Sequence, residues 1–424
     1  MIQYTSASND CHTPVTLFCY KLNTTNILGQ SMNILMISDV YFPRVNGVST
    51  SIMTLRRELK ALGHTVTLVA PAYDMGEAPE DDIVRINGRP VLMDPEDRLM
   101  SLKSLKALPQ MLSAQSFDLV HIHTPFLAHY TGLSLAKAFN IPCVETYHTF
   151  FEEYLYHYIP FLPKALMRYA ARHFSRRQCA QVDGLVLPSI AMDEALKRYG
   201  VRAFSKIIPT GIELSDFSHC DPDGFRRTHG IAPERPVVVY VGRVAFEKNI
   251  EFLLLMLSQL RHSIPDVLLI IAGEGPAEAK LRKTVEGLNL AANVLFVGYL
   301  ERATELPACY CAGNAFVFAS RTETQGLVLL EAMALGVPVV STAVMGTRDI
   351  LTAGRGCRVA EDNPVAFAAT LQEVLTDSTL RARLSIEARQ HALDWSAPQM
   401  AQQMLAFYQL AQQQFMRSAQ LAEV

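Results

Sequence analysis

Five apolar runs in the second half of the chain, VVVYVGR (237–243), VLLIIAGEG (267–275), VLFVGYL (294–300), AFVFASR (315–321) and PVVSTA (338–343), each end in glycine or small polar residues. None alternates apolar with polar, so both faces of each strand must be covered, as in a parallel sheet packed by helices on both sides. The first half repeats the pattern. NILMIS (33–38) leads into Asp39 and a loop with Pro43, Asn46 and Gly47, ahead of an amphipathic stretch over 50–62. Further strand-like runs lie at 64–70, 119–123, 142–147, 184–188 and 206–210, with helical spacings between several of them. The reading is α/β: two facing Rossmann-like domains, each gathering its strand C-termini on the one edge where ligands bind in such sheets.

A length of 424 residues suits two domains. The expected boundaries are an N-terminal domain over 32–212, a linker over 213–235 rich in Asp, Pro, Gly and His, a C-terminal domain over 236–396 and a last helix over 397–424. Residues 1–31 lack any sustained period and read as a disordered extension, or as lying upstream of a natural start at Met32. Half the residues are hydrophobic and the net charge is only -3, which excludes a disordered chain and a strongly basic nucleic-acid binder. The eight cysteines form no CxxC pair and read as reduced thiols. No apolar run reaches the roughly 18–20 residues of a membrane span, and the first residues lack signal-peptide features, so a cytosolic protein is expected.

The chemistry-bearing residues sit at the strand ends. Arg243 and Lys248 follow VVVYVGR in GRVAFEKN, and two cations at a strand-to-helix turn suit a diphosphate: Arg as a planar fork, Lys as a point charge. As a bare spacing, the same pair fits two solvated surface cations. Glu323 and Glu331 are separated by seven residues in FASRTETQGLVLLEAMALG. Glu323 falls in the loop with Gly326, beside the free N–H groups of a helix start, and Glu331 falls in the helix, where a carboxylate suits a ribose diol. The alternative is one carboxylate favouring the helix dipole and one ordinary surface residue. His148 ends the strand of ETYHTFFEEY. The HxH of His121 and His123 places both rings on one strand face without a third metal ligand, favouring packing over metal binding.

Gly47 after the first strand, GRxxxxKN at 242–249, AGEGP at 272–276 and the E-x7-E segment at 323–331 resemble, in order and spacing over 32–395, the family 4 retaining glycosyltransferases of GT-B architecture. The resemblance implies a hexosyltransferase that uses a nucleotide-sugar donor and retains anomeric configuration, with no metal cofactor. Arg243 and Lys248 then bind the donor diphosphate, the loop Glu323, Thr324, Gln325, Gly326 and Leu327 holds the sugar, Glu331 takes the ribose, Gly47 permits close backbone approach to phosphate, and His148 lies beside the reacting sugar. His148, Arg243, Lys248 and Glu323 are thereby the expected catalytic set. The last helix is expected to return to the first domain. Gln325 departs from the aromatic residue usual before Gly326, and Asn46 from the first of two glycines; both bear on the sugar.

No acidic residue occurs from Tyr154 to Val182, while Lys164, Arg168, Arg172 and Arg176 recur at steps of four and Arg177 follows, with Phe161, Leu162, Leu166, Met167, Tyr169 and Phe174 adjoining. Such a helix suits an anionic membrane surface, or else packs its apolar side on the sheet and solvates its cations. Residues 32–206 hold 19 basic and 17 acidic side chains, so the domain carrying the stripe is the more positive one. TYHTFFEEYLYHYIP and SRTETQGLVLLEAM are similar to segments of the members that glycosylate diacylglycerol, which implies a lipid acceptor and a peripheral place on the inner membrane face. A soluble saccharide or sugar-phosphate acceptor, and a catalytically silent sugar-nucleotide binder, are the alternatives. A nicotinamide-dependent dehydrogenase is disfavoured, because no GxGxxG follows the first strand.

Overall fold

The computed structural model describes residues 31–73, 80–91, 94–148, 164–217 and 220–422. The extension expected over 1–31 lies, apart from Ser31, outside them, as does the aromatic and acidic stretch 149–163. In chain order the first strands are β1 (Asn33–Ile37), β2 (Thr65–Pro71), β3 (Ile83–Ile86), β4 (Gly88–Val91), β5 (Asp94–Met100), β6 (Leu119–Ile122), β7 (Cys143–Thr146), β8 (Gly184–Leu187) and β9 (Ser205–Ile207). Seven of them form one sheet in the order β3-β2-β1-β6-β7-β8-β9, while β4 and β5 pair antiparallel as a separate ribbon. The second sheet runs β12-β11-β10-β13-β14-β15, from β10 (Val237–Val241), β11 (Leu268–Ala272), β12 (Val294–Gly298), β13 (Ala315–Phe318), β14 (Val339–Ser341) and β15 (Cys357–Val359). Both sheets are parallel throughout.

Every residue of β6, β7, β8, β10, β11, β13 and β14 is buried, which is what unbroken apolar runs require. In each sheet the chain lays strands to one side of its first strand and then crosses to the other. The reversal falls between β1 and β6 and again between β10 and β13. The crevice that forms beyond the strand C-termini at such a reversal is where an open α/β sheet binds its ligand.

The chain crosses between the two sheets twice, and the crossings run side by side: Ile212 bridges Ser396, Ile212 N donates to Trp395 O at 2.8 Å, and Ala397 N donates to Ile212 O at 2.9 Å. The helix Ala397–Ala422 then packs on the first sheet, burying Met404, Leu405, Phe407, Tyr408 and Ala411. Full burial of a side chain the size of Phe407 stabilises by about 1.5–3 kcal/mol, enough to anchor the helix there. In the stretch expected to link the domains, Phe217, Phe225 and Ile231 are buried in the second core.

Three local expectations need correction. The helix read over 50–62 begins at Gly47, because the Asn46 side chain accepts from Ser49 N and caps it three residues early. The strand read over 206–210 is Ser205–Ile207, its continuation being spent on the crossing. The cysteines are not all thiols: Cys220 and Cys311 form a disulfide joining the stretch before the helix Pro222–Thr228 to the helix Glu305–Ala312, whereas Cys143, Cys179, Cys309 and Cys357 are free and buried.

Candidate functional site

At the second reversal the loop after β10 is fastened on three sides. Tyr240 Oη donates to Arg243 O from below at 3.2 Å, and Val244 N donates to Glu274 O of the AGEG loop at 2.8 Å. A side chain at Gly273 would meet Gly242 O at 2.1 Å, so only glycine lets those two loops nest. Asn249 adopts a left-handed backbone, φ 56°, and its side-chain amide donates to Ala319 O at the end of β13, 3.0 Å away. The result is to bring Lys248 against Glu323: Nζ donates to Oε1 at 2.5 Å, with both side chains largely shielded. Two residues 75 apart in sequence thus form one ion pair at the crevice, and Arg243, in the loop after β10, is exposed.

The loop 323–327 turns through Gly326, whose φ of 97° a side chain resists, into the helix Leu327–Ala334, whose first N–H groups have no intrahelical acceptor. Glu323 O accepts from Gly346 N at 2.9 Å, fixing the loop's depth. The Gln325 side chain, expected in the sugar-holding loop, is buried and clasps the interdomain crossing: Thr210 N donates to Oε1 at 2.7 Å and Nε2 donates to Thr210 O at 2.8 Å. The Thr210 hydroxyl continues the chain to Ser51 of the first domain at 2.8 Å. An amide has the paired donor and acceptor that mate with a backbone unit, which an aromatic ring lacks.

Glu331 is also buried, and both its oxygens are engaged: Arg302 donates to one at 3.0 Å and the Tyr310 hydroxyl to the other at 2.7 Å. Each carboxylate oxygen accepts two hydrogen bonds, so capacity for a diol remains. Burial works against the Arg302 charge, yet Glu331 beside it raises its pKa; burial, then Glu331, pushes the Tyr310 phenol well up. Arg302 and Tyr310 escaped the sequence reading because neither belongs to a local motif.

In the first domain, Gly47 opens the helix that follows β1 and His148 follows β7. Nothing lies within 4 Å of a side chain placed on Gly47, so no neighbour in the fold demands glycine there and the room is open to a ligand. His148 Nε2 contacts His123 Nδ1 at 3.4 Å, and His121 bonds Tyr408 Oη and Thr146 Oγ1, each at 2.7 Å. Asp39 caps the helix Leu127–Phe139 by accepting from Ala128 N at 3.1 Å and from the Thr124 hydroxyl at 2.8 Å. Among the described residues no group of three or more His, Cys, Asp or Glu is placed to hold a metal.

Burial pushes His148 down to about 4 and, with the neighbouring His148, His121 down to about 3; His123 is lowered well below its ordinary value by burial and the two other rings. Unfolded, all three titrate near 6.5. As pH falls from 6.5 toward 4 the unfolded chain binds protons that the folded one refuses, so these histidines withdraw stability through that window. Asp39, raised to about 6 by burial, titrates there with the opposite sign, so a comparison between variants isolates the effect. His121→Asn, which cannot titrate, is expected to unfold below the wild type at neutral pH, with the gap in Tm narrowing as pH falls to about 4. A constant gap would mean that His121 is not held neutral.

In the helix Lys164–Cys179 the side chains Met167, Ala171, Ser175 and Gln178 turn inward, while Arg168, Arg172, Arg176 and Arg177 are exposed. Met167 therefore belongs to the packed face and not to the outer apolar surface expected of it. Tyr169 is exposed and stacks on His173, and the Arg172 guanidinium lies 5.3 Å from the Tyr199 ring. Lys164 opens the helix, its side chain outside the description, and Phe161 and Leu162 lie in the undescribed stretch. No described helix is long and apolar enough to cross a membrane.

Two family models match, "Glycosyltransferase Family 4" over residues 45–216 and "Glycosyl transferases group 1" over 222–391. The alpha-monoglucosyldiacylglycerol synthase of Streptococcus pneumoniae is 31% identical over 73% of this chain and 71% of its own length. A GDP-mannose-dependent alpha-mannosyltransferase of Mycolicibacterium smegmatis is 27% identical over 89% of this chain and 97% of its own. Sucrose-phosphate synthase from Thermosynechococcus elongatus superposes with a TM-score of 0.74 at 23% identity, covering 89% of this chain and 98% of that one. Anabaena HepE, solved with UDP-glucose, superposes with a TM-score of 0.68 at 18% identity over 88% and 98% of the two chains. With two parallel sheets, each reversing beside its first strand, and both halves matched, this chain belongs to glycosyltransferase family 4 and has the GT-B architecture.

Proposed function

We propose that this glycosyltransferase moves a hexose from a nucleotide-sugar to a hydroxyl of a membrane lipid, diacylglycerol being the first candidate, with retention at the anomeric carbon. The bond from that carbon to the donor phosphate breaks, the acceptor oxygen bonds to it on the same face, and the acceptor's proton passes to the departing phosphate. Arg243 and Lys248 meet the negative charge growing on the diphosphate, and the N–H groups that open the helix Leu327–Ala334 add to it. Glu323 positions the sugar, Glu331 the ribose, and His148 lies beside the reacting sugar. We propose no metal for the reaction, so a chelator is expected to leave the rate unchanged.

The observation that carries the lipid reading is the outer face of Lys164–Cys179, where Arg168, Arg172, Arg176 and Arg177 stand exposed on a helix anchored by its other side. The likeness to synthases named for monoglucosyldiacylglycerol supports it. Relatives named for GDP-mannose and for sulfoquinovose leave the donor to be settled by assay. Release of nucleoside diphosphate from UDP-, GDP- and ADP-sugars, with and without vesicles of diacylglycerol and anionic lipid, tests both ends of the reaction. Lipid-dependent release with a new glycolipid is expected, its anomeric configuration read by NMR; release only with soluble saccharides or sugar phosphates would overturn the lipid acceptor. Each cation near an anionic surface contributes about 1 kcal/mol, so replacing the four arginines by Gln is expected to weaken vesicle binding by about 10²–10³-fold, and added salt to do the same to the wild type.

A further inference from the structure

We infer that His123, buried behind His148, is a positioning residue that fixes which ring nitrogen of His148 carries the proton, so that His148 meets the donor sugar or acceptor as an N–H donor and not as a base. The inference rests on the reading that His148 lies beside the reacting sugar. His123 follows β6 and His148 follows the adjacent parallel strand β7, in a sheet that pairs His121 with Val144 and Ile122 with Glu145. The rings of His123 and His148 stack at 22° with centroids 5.7 Å apart, and His123 Nδ1 faces His148 Nε2 at 3.4 Å. That separation is long for a hydrogen bond, as such contacts commonly are before substrate tightens the site.

A neutral imidazole has one N–H and one lone pair, so one ring must donate to the other. The deciding atom is His123 Nε2, which is buried and has no hydrogen-bond partner. Were His148 the donor, His123 would carry its hydrogen on Nε2, an orphaned buried N–H. With His123 donating from Nδ1, Nε2 is a bare lone pair, the less costly group to leave unmatched. His148 then accepts at Nε2 and keeps its proton on Nδ1. His121 does not compete, because Tyr408 Oη and Thr146 Oγ1 already occupy both its nitrogens. With Nε2 filled, His148 has no lone pair left to take the acceptor's proton, which is consistent with that proton passing to the departing phosphate.

Histidine-¹⁵N NMR of the full chain reads the tautomer directly, with the His148 signals assigned by their loss in His148→Gln. The wild type is expected to show His148 protonated on Nδ1. His123→Asn, whose amide lies near the position of Nδ1 and can donate, keeps that pattern and most of the activity. His123→Leu turns His148 to the Nε2–H form and lowers kcat by on the order of tenfold, the worth of one hydrogen bond, with donor KM little changed. An Nε2–H His148 in the wild type overturns the inference, and so does an unchanged tautomer in folded His123→Leu. If the Leu variant does not fold, the wild type and the Asn variant still decide. Full activity in His148→Gln would instead remove His148 from the sugar while leaving the tautomer measurement standing.

Discussion

Lys248→Ala and Glu323→Ala are each expected to lower the rate of sugar transfer by about 10²–10³-fold, the usual cost of removing one preorganised charge or donor at a transition state. In the proposed roles, the Lys248 variant loses the cation that meets charge on the leaving diphosphate and the Glu323 variant loses the carboxylate that fixes the sugar. Their 2.5 Å contact adds a sharper expectation. Each side chain is the other's counter-ion, so either loss also releases the survivor from its position. The double variant should therefore cost little more than the worse single one, far short of the product of the two. Initial rates of the four proteins, with Tm measured alongside, close the cycle. Near-normal turnover by either single variant would remove that residue from the site, and fully multiplicative losses would show that the pair does not act as a unit. Tm should move little, because an ion pair that keeps some solvent contact stabilises by about 1 kcal/mol or less.

Such a pair could be named from sequence only in part. The strands were legible because parallel strands buried on both faces must be apolar throughout, and Arg243, Lys248 and Glu323 stood out as candidates because they fall just past those strands, with Glu331 in the helix that follows. That Lys248 meets Glu323 was not, since the contact depends on β10 and β13 lying side by side, a choice of strand order that no local pattern encodes. Gln325 shows the limit from the other side. Its place in the E-x7-E segment argued for the sugar, but its partner is the backbone of Thr210, 115 residues away, in the interdomain crossing. The short strands β3 to β5 were missed because polar residues interrupt them, as in DPEDRLM. Cys220 and Cys311 were read as thiols because spacing says nothing of a contact made when the linker packs on the second core.

Glu331 gives the other large effect, and its variants separate the proposed ribose contact from its hold on Arg302 and Tyr310. In Glu331→Ala the Arg302 guanidinium and the Tyr310 hydroxyl both lose their acceptor. Breaking a fully buried pair costs about 3–5 kcal/mol. Arg302 keeps part of its head in solvent, so about 2–3 kcal/mol is expected here, a fall in Tm of about 5–10 °C for a domain of this size. Lost activity in that variant would say nothing about ribose. Glu331→Gln is the informative change: its amide oxygen still accepts from one of the two donors and fills the same volume, but the charge offered to a diol is gone. A hydrogen bond to a charged group is worth about 1.5–3 kcal/mol, so donor KM should rise by about 10–10²-fold with kcat less affected. Tyr310→Phe leaves the carboxylate and removes only its orientation, so a smaller rise in the same parameter is expected. A Gln variant with wild-type donor KM would assign Glu331 to holding Arg302 and Tyr310 in the core, and would leave the ribose to another group at the ends of β10 and β13.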